Sequence, residues 1–220
     1  MDDLDLMIFD LDGTTLADHG EVPAAFTTAL AEQGITVTAE QIRAVRGGSK
    51  RQALFELTPP GPDRERRVES MYASFRANLA QGFAAGIEEV QGAQLTFRWL
   101  HEQGIKVAIN TGFERALVDR LLPSLGWDVS LFAAVVCGDE VSQGRPSPYM
   151  IFHAMEIARV TDVKHVAVVG DTPNDLLAGS QAGLHWNIGV ISSAYDRASL
   201  EAFPHTHILA SVTDLPSLWG

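Results

Sequence analysis

The sequence has little of what would tie it to a disulfide framework, a membrane or a secretory route. Cys137 is the single cysteine in 220 residues, which excludes a disulfide or a cysteine metal site within one chain. No apolar run approaches the roughly 20 residues of a membrane-spanning helix. The acidic start, MDDLD, is unlike the basic start of a signal peptide. We therefore expect a cytoplasmic protein with no membrane partner.

Positive charge is also scarce, since the formal net charge is −12, and this argues against a nucleic-acid partner. The segment from Arg43 to Arg76 differs, because it holds eight of the 16 basic residues against four acidic ones and carries +4. It can attract a small anionic substrate, or it can be a solvated helical face. The length favours one domain with a smaller insertion. We expect the protein to be a monomer or a homodimer.

The stretch LMIFDLDGTT, residues 6–15, organises the rest of the chain. Its apolar start predicts a strand buried on both faces of a parallel sheet, with Asp10 at the edge where such sheets bind ligands. Asp12 lies two residues on and points to the same side. One carboxylate can attack phosphorus while the other transfers protons, and the pair needs a hard cation such as Mg²⁺. A plain strand end with an Asp-Gly turn is the alternative.

The remaining pattern predicts an α/β fold. Four helices without an intervening strand are predicted at 23–34, 38–46, 49–57 and 63–81. From residue 87 onward helices and strands alternate, which predicts a doubly wound, Rossmann-like parallel sheet. We expect residues 1–15 and 86–220 to form this core and residues 16–85 to form an inserted α-helical cap, with residues 80–86 as the return hinge. The later strands are predicted at 105–110, 133–137, 165–169, 185–190 and 207–209, and the later helices at 91–103, 114–122, 147–158 and 173–182.

Two further motifs follow predicted strands. In Asn110-Thr111-Gly112 the Thr111 hydroxyl can donate to a phosphate oxygen and the Gly112 N–H can approach closely, although an ordinary strand-to-helix turn would look the same. In GDTPND, residues 170–175, Asp171 ends a strand on the edge that carries Asp10, as a Mg²⁺ site requires. Asp175 lies in the first helical turn, where it either serves the site or interacts with the helix dipole.

Two basic residues are candidates as well. Arg145, in Gly144-Arg145-Pro146, can pair with both Asp10 and a phosphate, or it can be a solvated loop residue. Lys50 begins a helix, and Arg46 and Arg51 lie close to it, which favours a lowered pKa. It can be a solvated lysine, a substrate contact or a Schiff-base amine.

These four motifs, in this order, resemble those of the haloacid dehalogenase superfamily of phosphohydrolases. The resemblance is firm at the motifs and loose in the cap and the C-terminal tail. It implies that Asp10 is the nucleophile and Asp12 the general acid and base. It further implies that Thr111, Gly112 and Arg145 hold the phosphoryl group. The Mg²⁺ ligands would be Asp10, the Asp12 carbonyl and Asp171, with Asp175 beside them. Asn110, Arg46 and Lys50 are further candidates for binding a small phosphorylated substrate.

Gly-Arg-Pro and Lys50 resemble the phosphonoacetaldehyde hydrolase branch, which lies near the β-phosphoglucomutase-like proteins. In that branch a cap lysine forms a Schiff base and the C–P bond breaks, but alanine stands where this chain has Asp12. Keeping Asp12 favours hydrolysis of a phosphate monoester, whose alkoxide needs a general acid. Three alternatives remain: cleavage of a 2-oxoalkyl phosphonate through Lys50, a sugar-phosphate mutase, and a receiver-like module that accepts phosphate without turnover.

Overall fold

The computed structural model describes residues 3–84 and 86–219. Within them six parallel strands form one sheet. The strands are β1 (Leu6–Phe9), β2 (Lys106–Thr111), β3 (Phe132–Cys137), β4 (Val166–Gly170), β5 (Trp186–Val190) and β6 (His207–Leu209). Their spatial order is β3-β2-β1-β4-β5-β6. Because helices cover both faces of this sheet, the predicted doubly wound α/β fold is confirmed.

The helices fall into two groups along the chain. Four of them, α1 (Glu21–Ala31), α2 (Ala39–Ala44), α3 (Lys50–Leu57) and α4 (Arg64–Phe83), follow β1 directly and form what we call the helical insertion. The others are α5 (Ala93–Glu102), α6 (Arg115–Ser124), α7 (Tyr149–Ala158), α8 (Pro173–Ala182) and α9 (Arg197–Glu201). Short 3-10 helices span Val129–Leu131, Val163–His165 and Val212–Leu218. None of the helices in the described ranges combines the length and the apolar character needed to cross a membrane.

The strand register aligns the edge of the sheet that carries Asp10. Phe9 of β1 lies opposite Ile109 of β2 on one side and Val169 of β4 on the other. The Asp10 N–H donates to the Val169 carbonyl (2.9 Å), so Asp10 extends this alignment by one residue. The three strands therefore end together where the strand order reverses, which is where open α/β sheets bind ligands.

Alternate residues of β1 pack into two separate cores. Met7 and Phe9 join the core that contains α5 and the helical insertion, whereas Leu6 and Ile8 join the core beneath α7 and α8. All four side chains are fully buried. This is the burial expected of a central parallel strand, whose successive side chains point to opposite faces that are both covered.

The helical insertion is held together by its own apolar contacts. The Phe26 and Phe75 rings of α1 and α4 lie with centroids 4.6 Å apart, over buried Leu30 and Leu79. Thr38 caps α2 through a reciprocal capping box with Gln41. These helices continue one core with α5 and β2 rather than packing alone.

Most predicted elements are confirmed to within two residues, and the helices predicted at 114–122 and 147–158 differ at their ends. α6 includes Pro123 in its last turn and ends one residue later, at Ser124. α7 begins at Tyr149 rather than at Ser147. Pro148 flanks the helix, and Ser147 donates its N–H to the Gly144 carbonyl (3.1 Å) in a turn. Ala85, in the expected hinge, lies outside the described residues, as do Met1, Asp2 and Gly220.

Candidate active site

Asp10 is a buried carboxylate held by an arginine. It follows β1 directly, and its Oδ1 accepts a hydrogen bond from Arg145 Nη2 at 2.6 Å. Both side chains are almost fully buried, with exposed fractions of 4% and 3%. A buried ion pair of this kind fixes the direction of both groups, because either charge would be strongly unfavourable without the other.

Asp12 lies beside the helical insertion and carries a perturbed acid group. Its Oδ2 lies 3.5 Å from Arg46 Nη2, and the same nitrogen donates to Asp18 Oδ2 at 2.8 Å. Burial raises the pKa of Asp12 to about 7, against the opposing charges of Lys50 and Arg46. A carboxyl group with this pKa can give and take a proton near neutral pH, as a general acid and base must.

Asp171 has the donor properties of a metal ligand. Its Oδ1 accepts from Thr14 Oγ1 at 3.2 Å, while its Oδ2 is buried with no hydrogen-bond partner among the described residues. Burial, followed by the charge of Asp10, raises the pKa of Asp171 to about 7. Gly13, with φ +87°, lets the backbone approach, since a Cβ there would lie 2.5 Å from Asp171 Oδ2. An orphaned buried carboxylate oxygen is what a bound cation would satisfy.

Three carboxylates gather at this point. Oxygens of Asp10, Asp171 and Asp175 lie within 4.8 Å of one another, and all three residues are buried. Several carboxylate oxygens this close together suit a hard divalent cation such as Mg²⁺, so these residues fit the expected ion. The Asp12 carboxylate is directed to Arg46 and does not belong to this group.

Asp175 is more heavily engaged than Asp10 or Asp171. Its Oδ2 accepts from the Thr172 N–H (3.1 Å) and from Thr172 Oγ1 (2.5 Å) in a capping box that begins α8. Its Oδ1 contacts Arg145 Nη1. Since both oxygens already have partners, Asp175 orients Arg145 as well as lying next to the other two carboxylates.

The turn after β2 provides neutral donors. Thr111 Oγ1 accepts from the Phe113 N–H at 3.2 Å, so its own proton remains available to donate. A Cβ at Gly112 would lie 2.7 Å from the Gly48 carbonyl oxygen and 3.5 Å from Lys50 Nζ, so only glycine permits this approach of the insertion. Asn110 is buried in β2, outside the lining of the cavity at the strand ends. The structure thus brings Thr111 and Gly112 to the site but not the Asn110 side chain.

The helical insertion closes over the strand ends. Asn174 Nδ2 donates to the Arg46 carbonyl (2.5 Å), and Lys50 Nζ lies 5.5 Å from the Phe113 ring centroid. Burial lowers the pKa of Lys50, and the charges of Arg145 and Arg46 act in the same direction against those of Asp12 and Asp10. Arg46 and Lys50, both predicted from sequence, are buried beside the acids.

The cavity at the strand ends has about 10 Å³, room for about one water molecule. Its lining contains Asp10, Asp12, Arg46, Gly47, Lys50, Thr111, Gly112, Phe113, Arg145 and Thr172. We call it the reaction cavity.

Sequence reasoning missed several residues of this site. Asp18 pairs with Arg46 and also accepts from Ser193 Oγ at 2.7 Å. Thr172 lines the cavity, and its side chain also caps α8. An acid in the polar loop Asp18-His19-Gly20 gives no signal that separates it from a solvated turn residue. The long-range pairing with Arg46 is visible only in three dimensions.

Comparison with known proteins agrees with this geometry. A family model described as haloacid dehalogenase-like hydrolase matches residues 7–201. A phosphonoacetaldehyde hydrolase of Bacteroides fragilis is 30% identical over an alignment of 222 positions, which covers 93% of this chain and 82% of the relative. A hydrolase from Pseudomonas syringae has a TM-score of 0.82 at 23% identity, over 97% of this chain and 96% of its own. A phosphonoacetaldehyde hydrolase like protein from Oleispira antarctica has a TM-score of 0.80 at 23% identity, over 98% and 91%.

Proposed function

The chain belongs to the haloacid dehalogenase-like hydrolase family, and from that premise we propose that it is a Mg²⁺-dependent phosphohydrolase acting on a small phosphorylated metabolite. One observation carries the proposal. Asp10, held by Arg145 at 2.6 Å, and Asp12, whose pKa burial raises to about 7, line the same cavity. The pairing supplies an ionised nucleophile next to a proton donor, which is the requirement for transfer of a phosphoryl group to a carboxylate.

The reaction follows from these two acids. An Asp10 oxygen bonds to phosphorus as the ester P–O bond breaks, and Asp12 gives its proton to the departing alkoxide oxygen. Asp12 then takes a proton from the water that attacks the aspartyl phosphate. This second step breaks the bond between Asp10 and phosphorus and releases inorganic phosphate. Asp12 returns to its protonated form, so both groups are ready for another turnover.

The phosphoryl oxygens would be held by the groups that surround Asp10. The Thr111 hydroxyl, the Gly112 N–H and the Arg145 guanidinium all belong to the lining of the reaction cavity. Donors fixed in a buried site stabilise the developing charge without reorganising as the reaction proceeds. Because Asp175 contacts Arg145 Nη1 and Asp10 accepts from Nη2, the guanidinium plane is set before substrate arrives.

Mg²⁺ would be held by Asp10 and Asp171, with the Asp12 carbonyl as a further ligand and Asp175 alongside. The orphaned Asp171 Oδ2 supports this assignment. When bound, the ion supplies positive charge that offsets the repulsion between the acids and the transition-state charge on phosphorus. The residues that surround it orient the carboxylates: Thr14 donates to Asp171 and Thr172 donates to Asp175.

We propose that the helical insertion, with residues 16–85 as its bounds, acts as a cap. A cavity of about 10 Å³ cannot hold a phosphate ester, so the insertion must open to admit one. On closure, Arg46 and Lys50 come to lie next to the reacting groups, and the cap excludes water. The contacts of these two side chains make them the candidates for choosing the leaving group.

A second candidate is cleavage of a C–P bond in a 2-oxoalkyl phosphonate through Lys50. Burial of Lys50 next to Gly112, with a lowered pKa, favours it. Asp12 counts against it, because a carbon leaving group held as an enamine needs no such acid. Borohydride treatment with phosphonoacetaldehyde separates the two, since an adduct trapped on Lys50 would support C–P cleavage and its absence would remove it.

The test of the main proposal is steady release of phosphate from p-nitrophenyl phosphate or acetyl phosphate with Mg²⁺. Asp10→Asn should lower kcat/KM by at least about a thousandfold, because the nucleophile is lost. Asp119→Asn, on the exposed side of α6, is the matched control and should retain activity. Phosphorylation of Asp10 once per chain without turnover would instead indicate a receiver-like module. A screen of phosphorylated metabolites, run beside phosphonoacetaldehyde, would then identify the substrate.

A further inference from the structure

A second cavity opens beside the reaction cavity, between the helical insertion and the core. It has about 290 Å³, near the lower end of volumes that hold small ligands, and we call it the α4–α6 groove. Its lining includes Lys50, Tyr72, Ala73, Phe113, Leu117 and Arg120. One wall belongs to the proposed cap and the other to the turn that follows Thr111 and Gly112. The groove therefore lies where a substrate would extend out of the site.

Two side chains join the groove to the reaction cavity. Lys50 and Phe113 line both spaces, and they contact each other with Lys50 Nζ 5.5 Å from the ring centroid. Displacement of the buried Lys50 side chain would make the two spaces continuous. A bound substrate could then occupy both, with its phosphoryl group on the core side.

The groove joins the site away from the arginine that holds the nucleophile. Arg145, which pairs with Asp10, lines the reaction cavity and a larger cleft of about 1010 Å³, but it does not line the groove. The groove shares Lys50 and Phe113 with the reaction cavity, whose lining also contains Asp12. The leaving oxygen must lie opposite the attacking Asp10 and within reach of Asp12. The α4–α6 groove is therefore the better placed of the two for the alcohol.

The walls of the groove offer few free polar groups. Tyr72 donates its hydroxyl proton to Glu114 Oε1 (2.6 Å), and Arg76 Nη1 pairs with Glu114 Oε2 (3.2 Å). These polar groups are already paired with one another. Lys50 and Arg120 are the other charged residues of the lining, and the remainder is aromatic, leucine and alanine, including Phe75 and Leu79. A sugar would lose the hydration of several hydroxyls here and could regain partners only at these two cations. An apolar alcohol would gain by burial.

From this geometry we propose that the preferred substrate is a phosphate monoester of an apolar primary alcohol, aromatic or alkyl, whose hydrocarbon part occupies the α4–α6 groove. This inference rests on the proposed phosphohydrolase function. It assigns the choice of substrate to the facing sides of α4 and α6. It also excludes polyhydroxylated leaving groups as the best substrates.

The test compares substrates of equal intrinsic reactivity. Benzyl phosphate, glucose 6-phosphate and glycerol 3-phosphate all release a primary alkoxide, so differences in kcat/KM report contacts made by the leaving group. We expect kcat/KM with Mg²⁺ to be at least about tenfold higher for benzyl phosphate than for either of the others. Equal values, or a preference for glucose 6-phosphate, would overturn the inference while leaving the hydrolase activity intact. No turnover of any ester, and none of acetyl phosphate, would reject the proposed function and the inference with it.

A matched pair of variants locates the preference. Ala73→Trp fills the groove from an exposed position on α4, and Ser70→Trp adds the same bulk to the same helix outside the groove lining. Ala73→Trp should remove most of the preference for benzyl phosphate and leave glycerol 3-phosphate unchanged, whereas Ser70→Trp should change neither. If Ala73→Trp keeps the benzyl preference, the groove does not bind the alcohol. Circular dichroism checks folding, and Ala80→Phe, also in the lining, provides the test should Ala73→Trp misfold.

Discussion

Gly112→Ala tests whether the close approach of the helical insertion is needed for catalysis. An added Cβ would lie 2.7 Å from the Gly48 carbonyl oxygen, a backbone atom that cannot rotate away. Overpacking of this kind costs about 1–3 kcal/mol. Gly48 belongs to the insertion, so the cost falls on the closed form alone. At about 1.4 kcal/mol per factor of ten, kcat/KM should fall by about fivefold to about 150-fold.

The assay is phosphate release from p-nitrophenyl phosphate, together with hydrogen exchange of the amides in residues 45–50. Exchange there should become faster in Gly112→Ala, while the urea midpoint of unfolding stays unchanged. The matched control is Gly61→Ala, in an exposed loop of the insertion where an added Cβ meets nothing within 4 Å. Wild-type kcat/KM in Gly112→Ala, or a loss of activity accompanied by general unfolding, would refute the argument that this contact controls closure.

Three further predictions concern stability and reactivity. Burial alone would raise the pKa of Asp18, but the charge of Arg46 and the hydrogen bonds to Asp18 outweigh it and lower the pKa below its ordinary value. Asp18→Asn should therefore lower the free energy of unfolding by about 2 kcal/mol at pH 7, as measured with urea. This difference from the wild type should vanish as the pH falls through the lowered pKa of Asp18. A constant difference down to pH 2 would contradict this. Tyr72→Phe removes the hydrogen bond to Glu114 and should lower the free energy of unfolding by about 1 kcal/mol in the same measurement. An unchanged midpoint would mean that this bond contributes nothing to stability. Burial raises the pKa of Cys137 to about 12, so a disulfide reagent should label it only after denaturation; rapid labelling of the native protein at pH 8 would disprove this.

The sequence was sufficient for the fold and for the family, which the matching family model confirms. The reason is local: buried apolar runs such as Leu6–Phe9 end at acids, and glycine or proline marks the helix ends. The helix predicted to end at residue 122 includes Pro123 in its last turn, where the missing N–H costs one hydrogen bond to the preceding turn and the helix ends one residue later. The roles assigned to Asp12, Asp171 and Arg145 stay predictions until activity is measured.

The pairing of Arg46 with Asp18 could not be predicted, because nothing in either local sequence refers to the other. The same holds for the paired polar groups around Glu114, where Tyr72 and Arg76 come from a helix 38 to 42 residues away. Asn110 is a different case. It adjoins Thr111 in sequence but does not line the reaction cavity, and its role as a substrate contact stays a prediction.

The long sequence separations within the acidic centre have a consequence for the chain during its synthesis. Asp10 lies 135 residues before Arg145, and Thr14 lies 157 residues before Asp171. At about 5–20 residues per second, a ribosome needs about 8 to 30 s to add the later partners after the first have emerged. During that interval β1 has no β4 beside it, and the carboxylate of Asp10 stays in water. The acidic centre can therefore become complete only in a late step, when the last third of the polypeptide docks.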